Sequence, residues 1–247
     1  MLKRFSKDPV YRQATEKADG SPVTKADLEV SQFLVSRLEG WGVPVVSEEG
    51  DLYEGCETPY FLVDPLDGTK HFSSGQPDYA VLVGYVENQK STFGSLCSPE
   101  ENKVFWAQKG QGAFLNGVPL KRSAPTANIV AYSSGFHKRV SKKWILEALS
   151  VGKVLTRGSA LKFCDVAEGI ADVFPRFGPT GEWDTAAAQI LLEETGCILM
   201  DIKTRRPLVY GKPKRLNSGF IACHKSLEDK AIRVLDSLLE RRKKDDE

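Results

Sequence analysis

Two carboxylates stand three residues apart in Tyr60-Phe61-Leu62-Val63-Asp64-Pro65-Leu66-Asp67-Gly68-Thr69-Lys70-His71-Phe72, directly behind an apolar run. A strand over Tyr60–Asp64 delivers Asp64 at its end, and Pro65, which has no N–H, stops the ladder there. Asp67-Gly68 turns the chain, and Thr69–Phe72 opens a short helix. Asp64, Asp67 and the Leu66 carbonyl can then converge as hard oxygen donors, a set that suits Mg²⁺. The N–H groups of Gly68 and Thr69 can meet a phosphate, as helix N-termini do. Taken alone, Asp-x-x-Asp-Gly is more often a plain turn with capping acids. Other acids favour the cation site: Glu48 in Ser47-Glu48-Glu49-Gly50, Asp27 in the first turn of a helix, and Asp184 in Glu182-Trp183-Asp184-Thr185. Each falls at the end of an element, where sites on layered folds gather.

Cations accompany them. Lys70 follows the turn, His137 sits in Ser133–His137, Ser159 and Lys162 share a helix face at i,i+3, and Arg176 follows a strand. Each alone is an ordinary surface group; together they are the donors that a second phosphate needs. Lys109–Gly117 is glycine-rich but lacks the third Gly of a dinucleotide loop, so it reads as a tight turn. Trp183 offers a face for a base, but a core Trp beside the acidic loop is the favoured reading.

The elements that must position these groups follow from pattern. Thr24-Lys25-Ala26-Asp27 is a capping box with Asp in place of Glu, and Leu28, Phe33, Leu34 and Leu38 recur at helical spacing up to Gly40. Strands are expected over Val43–Val46, Tyr60–Asp64 and Tyr79–Val86, with a hairpin over Lys90–Cys97 and Lys103–Gln108 and another at Asn116-Gly117. Beyond residue 125, short strands (Ile129–Ser133, Val154–Arg157, Asp172–Pro175, Cys197–Asp201, Gly219–Cys223) alternate with helices near 141–150, 159–170, 184–195 and 226–241. The first half is therefore α+β and antiparallel and the second α/β, giving two expected domains, 1–126 and 127–247.

With 247 residues, 41% of them apolar and 27% charged, the chain is an ordinary globular protein with a full core. A formal net charge of +1 gives no footprint for a nucleic-acid polymer. The N-terminus lacks an apolar leader, and no apolar run is long enough to span a membrane. The five Cys are scattered without a C-x-x-C, as free thiols of a reducing compartment are, so a cytoplasmic protein without zinc is expected.

Asp64-Pro65-Leu66-Asp67-Gly68-Thr69 together with Trp183-Asp184-Thr185-Ala186-Ala187 resembles the signature pair of the inositol monophosphatase superfamily, which contains Mg²⁺-dependent, lithium-sensitive phosphomonoesterases. Lys17–Asp27, Asp64–Phe72, Gly110–Gly117 and Arg157–Asp184 are similar to one branch, the bacterial CysQ-type 3′(2′),5′-bisphosphate nucleotidases, and the resemblance covers about residues 17–223. It implies a layered αβαβα sandwich of the inositol monophosphatase / fructose-1,6-bisphosphatase type and two or three Mg²⁺ ions. It implies Glu48, Asp64, Asp67 and the Leu66 carbonyl as the first metal cluster, and Asp184 as a ligand of a second. Asp27 and Thr69, with Glu48, become the group that activates the attacking water. Gly68 and Thr69 meet the phosphate; Lys70, His137, Ser159, Lys162, Arg176 and Asp184 meet the rest of the substrate.

The implied reaction takes the 3′-phosphate from adenosine 3′,5′-bisphosphate to leave AMP, a recycling step in sulfate assimilation. Inositol monophosphate or another sugar phosphate is the alternative substrate, and a non-catalytic nucleotide or metal sensor is the rival of another class. The chemistry suits the ligands, because Mg²⁺ neutralises a phosphate dianion that otherwise repels hydroxide. A homodimer is the usual family assembly. The sequence departs from the family in two places. Only sixteen residues precede Lys17, so the first helix is expected to be missing or reduced to Pro9–Lys17. Gly181 stands where a larger residue is usual, and is expected to loosen its loop.

Overall fold

The structure is a computed structural model and describes residues 1–50, 59–132 and 147–245, with side chains through 237. After a short hairpin of β1 (Ala14–Glu16) and β2 (Pro22–Thr24), its larger sheet has seven strands in the order β3 (Val45–Ser47), β4 (Tyr60–Asp67), β5 (Ala80–Glu87), β6 (Lys90–Ser98), β7 (Lys103–Gln108), β8 (Gly112–Leu115) and β9 (Val118–Leu120). Only β3 and β4 run parallel. The alternation along β5 shows why this sheet has helices on both sides. Ala80, Leu82 and Val86 enter one buried cluster, while Val83 and Tyr85 pack in another with Val45, Phe61 and Val63 beneath the helix Lys25–Leu38.

The second sheet is mixed. Its order is β11 (Val151–Leu155), β10 (Ile129–Tyr132), β12 (Val173–Arg176), β14 (Phe220–His224), β13 (Cys197–Asp201), with the first three parallel. Two helices, Leu161–Glu168 and Trp183–Glu194, lie between the sheets, and Glu228–Asp245 covers the far face of the second. Phe220 and Ala222 point into the central cluster, and Ile221 and Cys223 point to the far side. The layers are therefore helix, sheet, helices, sheet, helix. None of the helices among the described residues is long and apolar enough to cross a membrane.

The central helix Trp183–Glu194 comes very close to the larger sheet. Gly84 and Gly94 are register partners on β5 and β6. A Cβ on Gly84 would sit 2.7 Å from Ala186 Cβ, and one on Gly94 would sit 2.7 Å from Ala187 Cα. The run Ala186-Ala187-Ala188 thus lies in a trough that two glycines keep open, which fixes the height of Asp184 one half-turn earlier.

Several expectations need correction. Strand β4 does not stop at Pro65; pairing lapses at a bulge after Asp64 and resumes at Asp67 opposite Ala80, so both acids belong to one bulged strand. Leu28 and Phe33 are 52% and 43% exposed, and the helix buries Ala26, Asp27, Val30 and Ser31 instead. Small residues let it approach the turn, which a count of large apolar positions does not reveal. The expected strand Val154–Arg157 is Val151–Leu155.

The N-terminal helix is not Pro9–Lys17. Asp8 caps a single turn over Pro9–Arg12, and residues 14–16 and 22–24 form a small hairpin. A further turn, Leu2–Phe5, buries Leu2 and Phe5 against Ala26, Leu66 and Phe72, so packing beneath the hairpin is supplied. Most of the expected helix near 141–150 lies outside the described residues, as does Cys56. Cys97, Cys164, Cys197 and Cys223 are free.

The glycine trough yields a test. Gly94→Ala should cost about 1–3 kcal/mol, the range for overpacking a core, and lower the thermal midpoint by several degrees. Gly40, whose Cβ would meet nothing within 4 Å, should tolerate Ala within about 0.5 kcal/mol. An unchanged midpoint in Gly94→Ala would show that the central helix lifts from the sheet freely.

Candidate functional site

Two parallel strands end at the same edge. Ser47 pairs with Val63, and the Glu48 N–H donates to the Val63 carbonyl at 3.0 Å, which sets Glu48 beside Asp64. Asp184 arrives from the first turn of the central helix, where its Oδ2 accepts the Gly181 N–H at 2.9 Å. Glu48, Asp64 and Asp184 each place an oxygen within 4.8 Å of the other two. Asp67 is outside that trio. Its Oδ2 accepts the Ala160 N–H, while its charge still bears on all three. The Leu66 carbonyl accepts the Thr69 hydroxyl at 3.1 Å.

Burial, and then the neighbouring acids, oppose the charged forms. Burial pushes the Glu48 carboxyl up to about 7 despite Lys17 Nζ at 3.3 Å, and it pushes Asp184 up to about 8. Asp64, 1% exposed, is driven well above the usual carboxylate range. Its Oδ1 accepts the Leu66 N–H at 3.0 Å, but its Oδ2 is buried with no hydrogen-bond partner. An orphaned carboxylate oxygen among mutually repelling acids fits a hard divalent cation, whose charge reverses the local preference. Glu48, Asp64 and Asp184 would hold it, with Asp67 alongside.

Behind the cluster lies a relay of hydroxyl and carboxylate. Asp27 is the third helical residue of the capping box: its Oδ2 accepts from the Thr24 N–H at 2.8 Å and from the Thr24 hydroxyl. Its Oδ1 accepts the Thr69 hydroxyl at 3.0 Å. Burial raises the Asp27 carboxyl, and the Thr24 and Thr69 bonds pull it back. Gly68, at φ +94°, caps the short helix Thr69–Ser73, and a Cβ there would strike the Asp78 carbonyl at 2.6 Å. The first N–H groups of that helix have no partner within it.

A cavity of ≈ 360 Å³ is lined by Glu48, Asp67, Gly68, Thr69, Lys70, Ser159, Lys162, Arg176 and Asp184 among the expected residues. Asp27, Asp64 and Leu66 are buried and do not line it, and His137 lies outside the described residues. Lys70 is exposed at the rim. Arg176 donates to the Pro179 carbonyl at 3.3 Å, and its buried Nε has no partner.

Lys162 is 6% exposed, lies 5.0 Å over the Phe174 ring and donates to the Arg157 and Ser159 carbonyls. Burial pulls it down to about 8. Ser159 does not share a helix with Lys162, because the helix begins at Leu161 and Ser159 sits at φ +56° ahead of it.

Gly181 does not loosen its loop. It is buried in a two-residue strand paired with Leu216, and a Cβ there would meet Trp183 Nε1 at 2.5 Å. Trp183 is half-buried over that glycine and does not line the cavity, so it is neither a base platform nor a full core residue. The sequence also left Lys17, the Ala160 N–H and Glu182 without a role. Lys17 bridges Glu48 and Glu49; fully buried Glu182 accepts from Gly211 and Lys212 N–H and pairs with Lys212 and Arg215. For Lys17 the one signal was its place at the start of the segment Lys17–Asp27 that carries the resemblance. For a backbone N–H there was none.

Asp64→Asn should weaken Mg²⁺ binding, read by calorimetric titration, by at least about tenfold to a hundredfold. Unchanged affinity would remove Asp64 from the cation site.

The inositol monophosphatase family model matches residues 1–240. The 3′(2′),5′-bisphosphate nucleotidase CysQ of Aggregatibacter actinomycetemcomitans is 34% identical over 224 residues, covering 83% of this chain and 81% of that one. The CysQ of Escherichia coli (strain K12) is 34% identical over 217 residues, covering 83% and 86%. Among solved structures, the CysQ of Bacteroides thetaiotaomicron superposes with a TM-score of 0.78 at 28% identity, covering 91% of this chain and 92% of that one. An IMPase of Thermotoga maritima gives 0.79 at 25% identity, covering 97% and 94%. With its layers, its acidic cluster and the length of these matches all in agreement, the chain belongs to the inositol monophosphatase family.

Proposed function

We propose that this chain is a Mg²⁺-dependent phosphomonoesterase that removes the 3′-phosphate of adenosine 3′,5′-bisphosphate to give AMP and phosphate. The curated relatives carry the nucleotidase name, which supports the substrate class. The observation that carries the reading is the mixed lining of one cavity, carboxylates Glu48, Asp67 and Asp184 together with cations Lys70, Lys162 and Arg176. A substrate with a reacting phosphate and a second anionic group suits such a lining; a small monophosphate leaves the cations without a partner.

Magnesium held by Glu48, Asp64 and Asp184, with Asp67 alongside, would supply charge neutralisation of the phosphate and a more acidic water. The chain's own residues do the rest. Of its two acceptors, Asp27 Oδ1 and the Leu66 carbonyl, Thr69 Oγ1 uses Asp27 in the relay: its proton passes to Asp27 as its lone pair takes one from the attacking water. Asp27 is held for that task by both Thr24 donors. The N–H groups of the turn at Gly68-Thr69 orient phosphate oxygens, as unpaired helix N-terminal groups do. Arg176, with a free Nε–H, and Lys162, with one of its three protons uncommitted, face the second phosphate.

Three kinetic outcomes are expected. The wild-type chain with Mg²⁺ should show a higher kcat/KM on adenosine 3′,5′-bisphosphate than on inositol 1-phosphate, and EDTA should abolish both activities. A reversed preference would assign the chain to sugar phosphates, and no release from either would leave a sensor. Thr69→Ala should lower kcat by about a hundredfold or more with little change in KM; an unaltered kcat would dismiss the relay. Arg176→Ala and Lys162→Met should each lose about ten- to a hundredfold in kcat/KM on the bisphosphate, the worth of one charge-assisted bond of roughly 1.5–3 kcal/mol. Both should change little on the monophosphate. Equal losses on the two substrates would count against a second-phosphate role.

A further inference from the structure

Four residues, Arg157 to Ala160, form a strap that passes against the Asp67-Gly68 turn. The contact is close: a Cβ on Gly68 would lie 3.0 Å from Ser159 Cβ, and one on Gly158 would lie within 2.5–2.7 Å of the His71 ring. Ser159 takes a left-handed φ of +56°, which a serine adopts only when its surroundings impose it. The strap serves the cavity with backbone groups. Its Ala160 N–H holds Asp67 Oδ2. Its Arg157 and Ser159 carbonyls hold Lys162 Nζ. One short segment therefore holds both an acid and a cation of the same cavity.

The strap is itself held by the Arg157 side chain. Nη1 donates to Asp165 Oδ1, Nη2 donates to Glu101, and Nε lies 3.6 Å from Asp78 Oδ1. The second Asp78 oxygen accepts the Gly158 N–H at 2.9 Å. Asp165 lies one turn beyond Lys162 on the same helix, and its second oxygen accepts the Tyr132 hydroxyl. Three carboxylates from three parts of the chain thus grip one guanidinium that is largely buried. Only a planar fork with five donors can satisfy such a set; an ammonium is a single point charge.

We propose that Arg157 is a positioning residue for the reaction proposed above: its grip on Asp78, Glu101 and Asp165 fixes the strap, and the strap places Asp67 and Lys162 together. Metal affinity and preference for the doubly phosphorylated substrate are then coupled through a residue that touches neither. The inference rests on the phosphatase reading, and its two readouts separate the two.

Arg157→Lys keeps the charge and loses the fork. It should remain folded by circular dichroism and weaken Mg²⁺ binding in calorimetry by about ten- to a hundredfold, as loss of a group that positions a carboxylate beside the metal does. Its kcat/KM should fall further on adenosine 3′,5′-bisphosphate than on inositol 1-phosphate, because the second loses only the Asp67 share. Arg157→Ala should recover part of its Mg²⁺ affinity in millimolar guanidinium. Wild-type Mg²⁺ affinity and an unaltered substrate ratio in Arg157→Lys, with or without a lower melting temperature, would assign Arg157 to the fold alone and overturn the proposal. Failure of the phosphatase reading looks different: the wild-type chain itself releases no phosphate, while the Mg²⁺ titration still decides whether Arg157 positions Asp67.

Discussion

Acids that would rather not be charged are forced into one another's company. Glu48, Asp64 and Asp184 lie within 4.8 Å of each other, with Asp67 close by, and burial opposes the ionised form of each of the three. Without compensation such a cluster would drive its own wall apart. The compensation comes one donor at a time. Lys17 Nζ, the Leu66 N–H, the Ala160 N–H and the Gly181 N–H each take one oxygen. Those donors arise in the N-terminal hairpin turn, the β4 bulge, the strap and the loop before the central helix. The site is thus spread over both sheets, and neither sheet with its own helices could build it.

That spread demands that the elements keep their heights relative to one another. The trough at Gly84 and Gly94 seats Ala186 and Ala187, so Asp184 is set by helix-to-sheet contact rather than by a flexible loop. The loop ahead of it is fixed from the other direction by Glu182. A fully buried carboxylate is costly unless paired, and this one meets two N–H groups and two cations from residues 211–215. Gly181 belongs to the same arrangement, since the Trp183 ring occupies the space a side chain would need. A missing side chain here tightens the loop, the reverse of what a glycine suggests in isolation.

The sequence was legible where chemistry is local. Asp64-Pro65-Leu66-Asp67-Gly68-Thr69 carries its geometry in a Pro, a Gly and two acids within six positions, and the capping box of Thr24 and Asp27 is equally short-range. The layered fold followed from the family resemblance that these motifs carry, while the change of texture near residue 125 gave only an α+β half and an α/β half. What escaped was non-local or made of backbone. Pro65 implied a strand end, because a bulge that resumes pairing two residues later depends on Ala80 opposite. Leu28 and Phe33 matched a helical face, but the partner surface selected the small residues beside them. Ser159 looked helical, and its left-handed φ comes from the turn at Gly68 against which it packs.

The overall charge of the chain is +1, and that near-balance conceals a local concentration of both signs. Within one cavity of ≈ 360 Å³, acids from the ends of β3 and β4 and from the central helix share the lining with Lys162, on the other helix between the sheets, and Arg176, at the end of a strand of the second sheet. Opposite charges exposed to solvent are screened and interact weakly. Here each group is fixed by partners of its own: Lys162 by two carbonyls and the Phe174 face, Arg176 by Pro179, and Asp67 by Ala160. Both signs are therefore held in place largely by the backbone before any ligand arrives. What such a cavity offers a ligand is set by the spacing of fixed charges and not by the net charge of the chain.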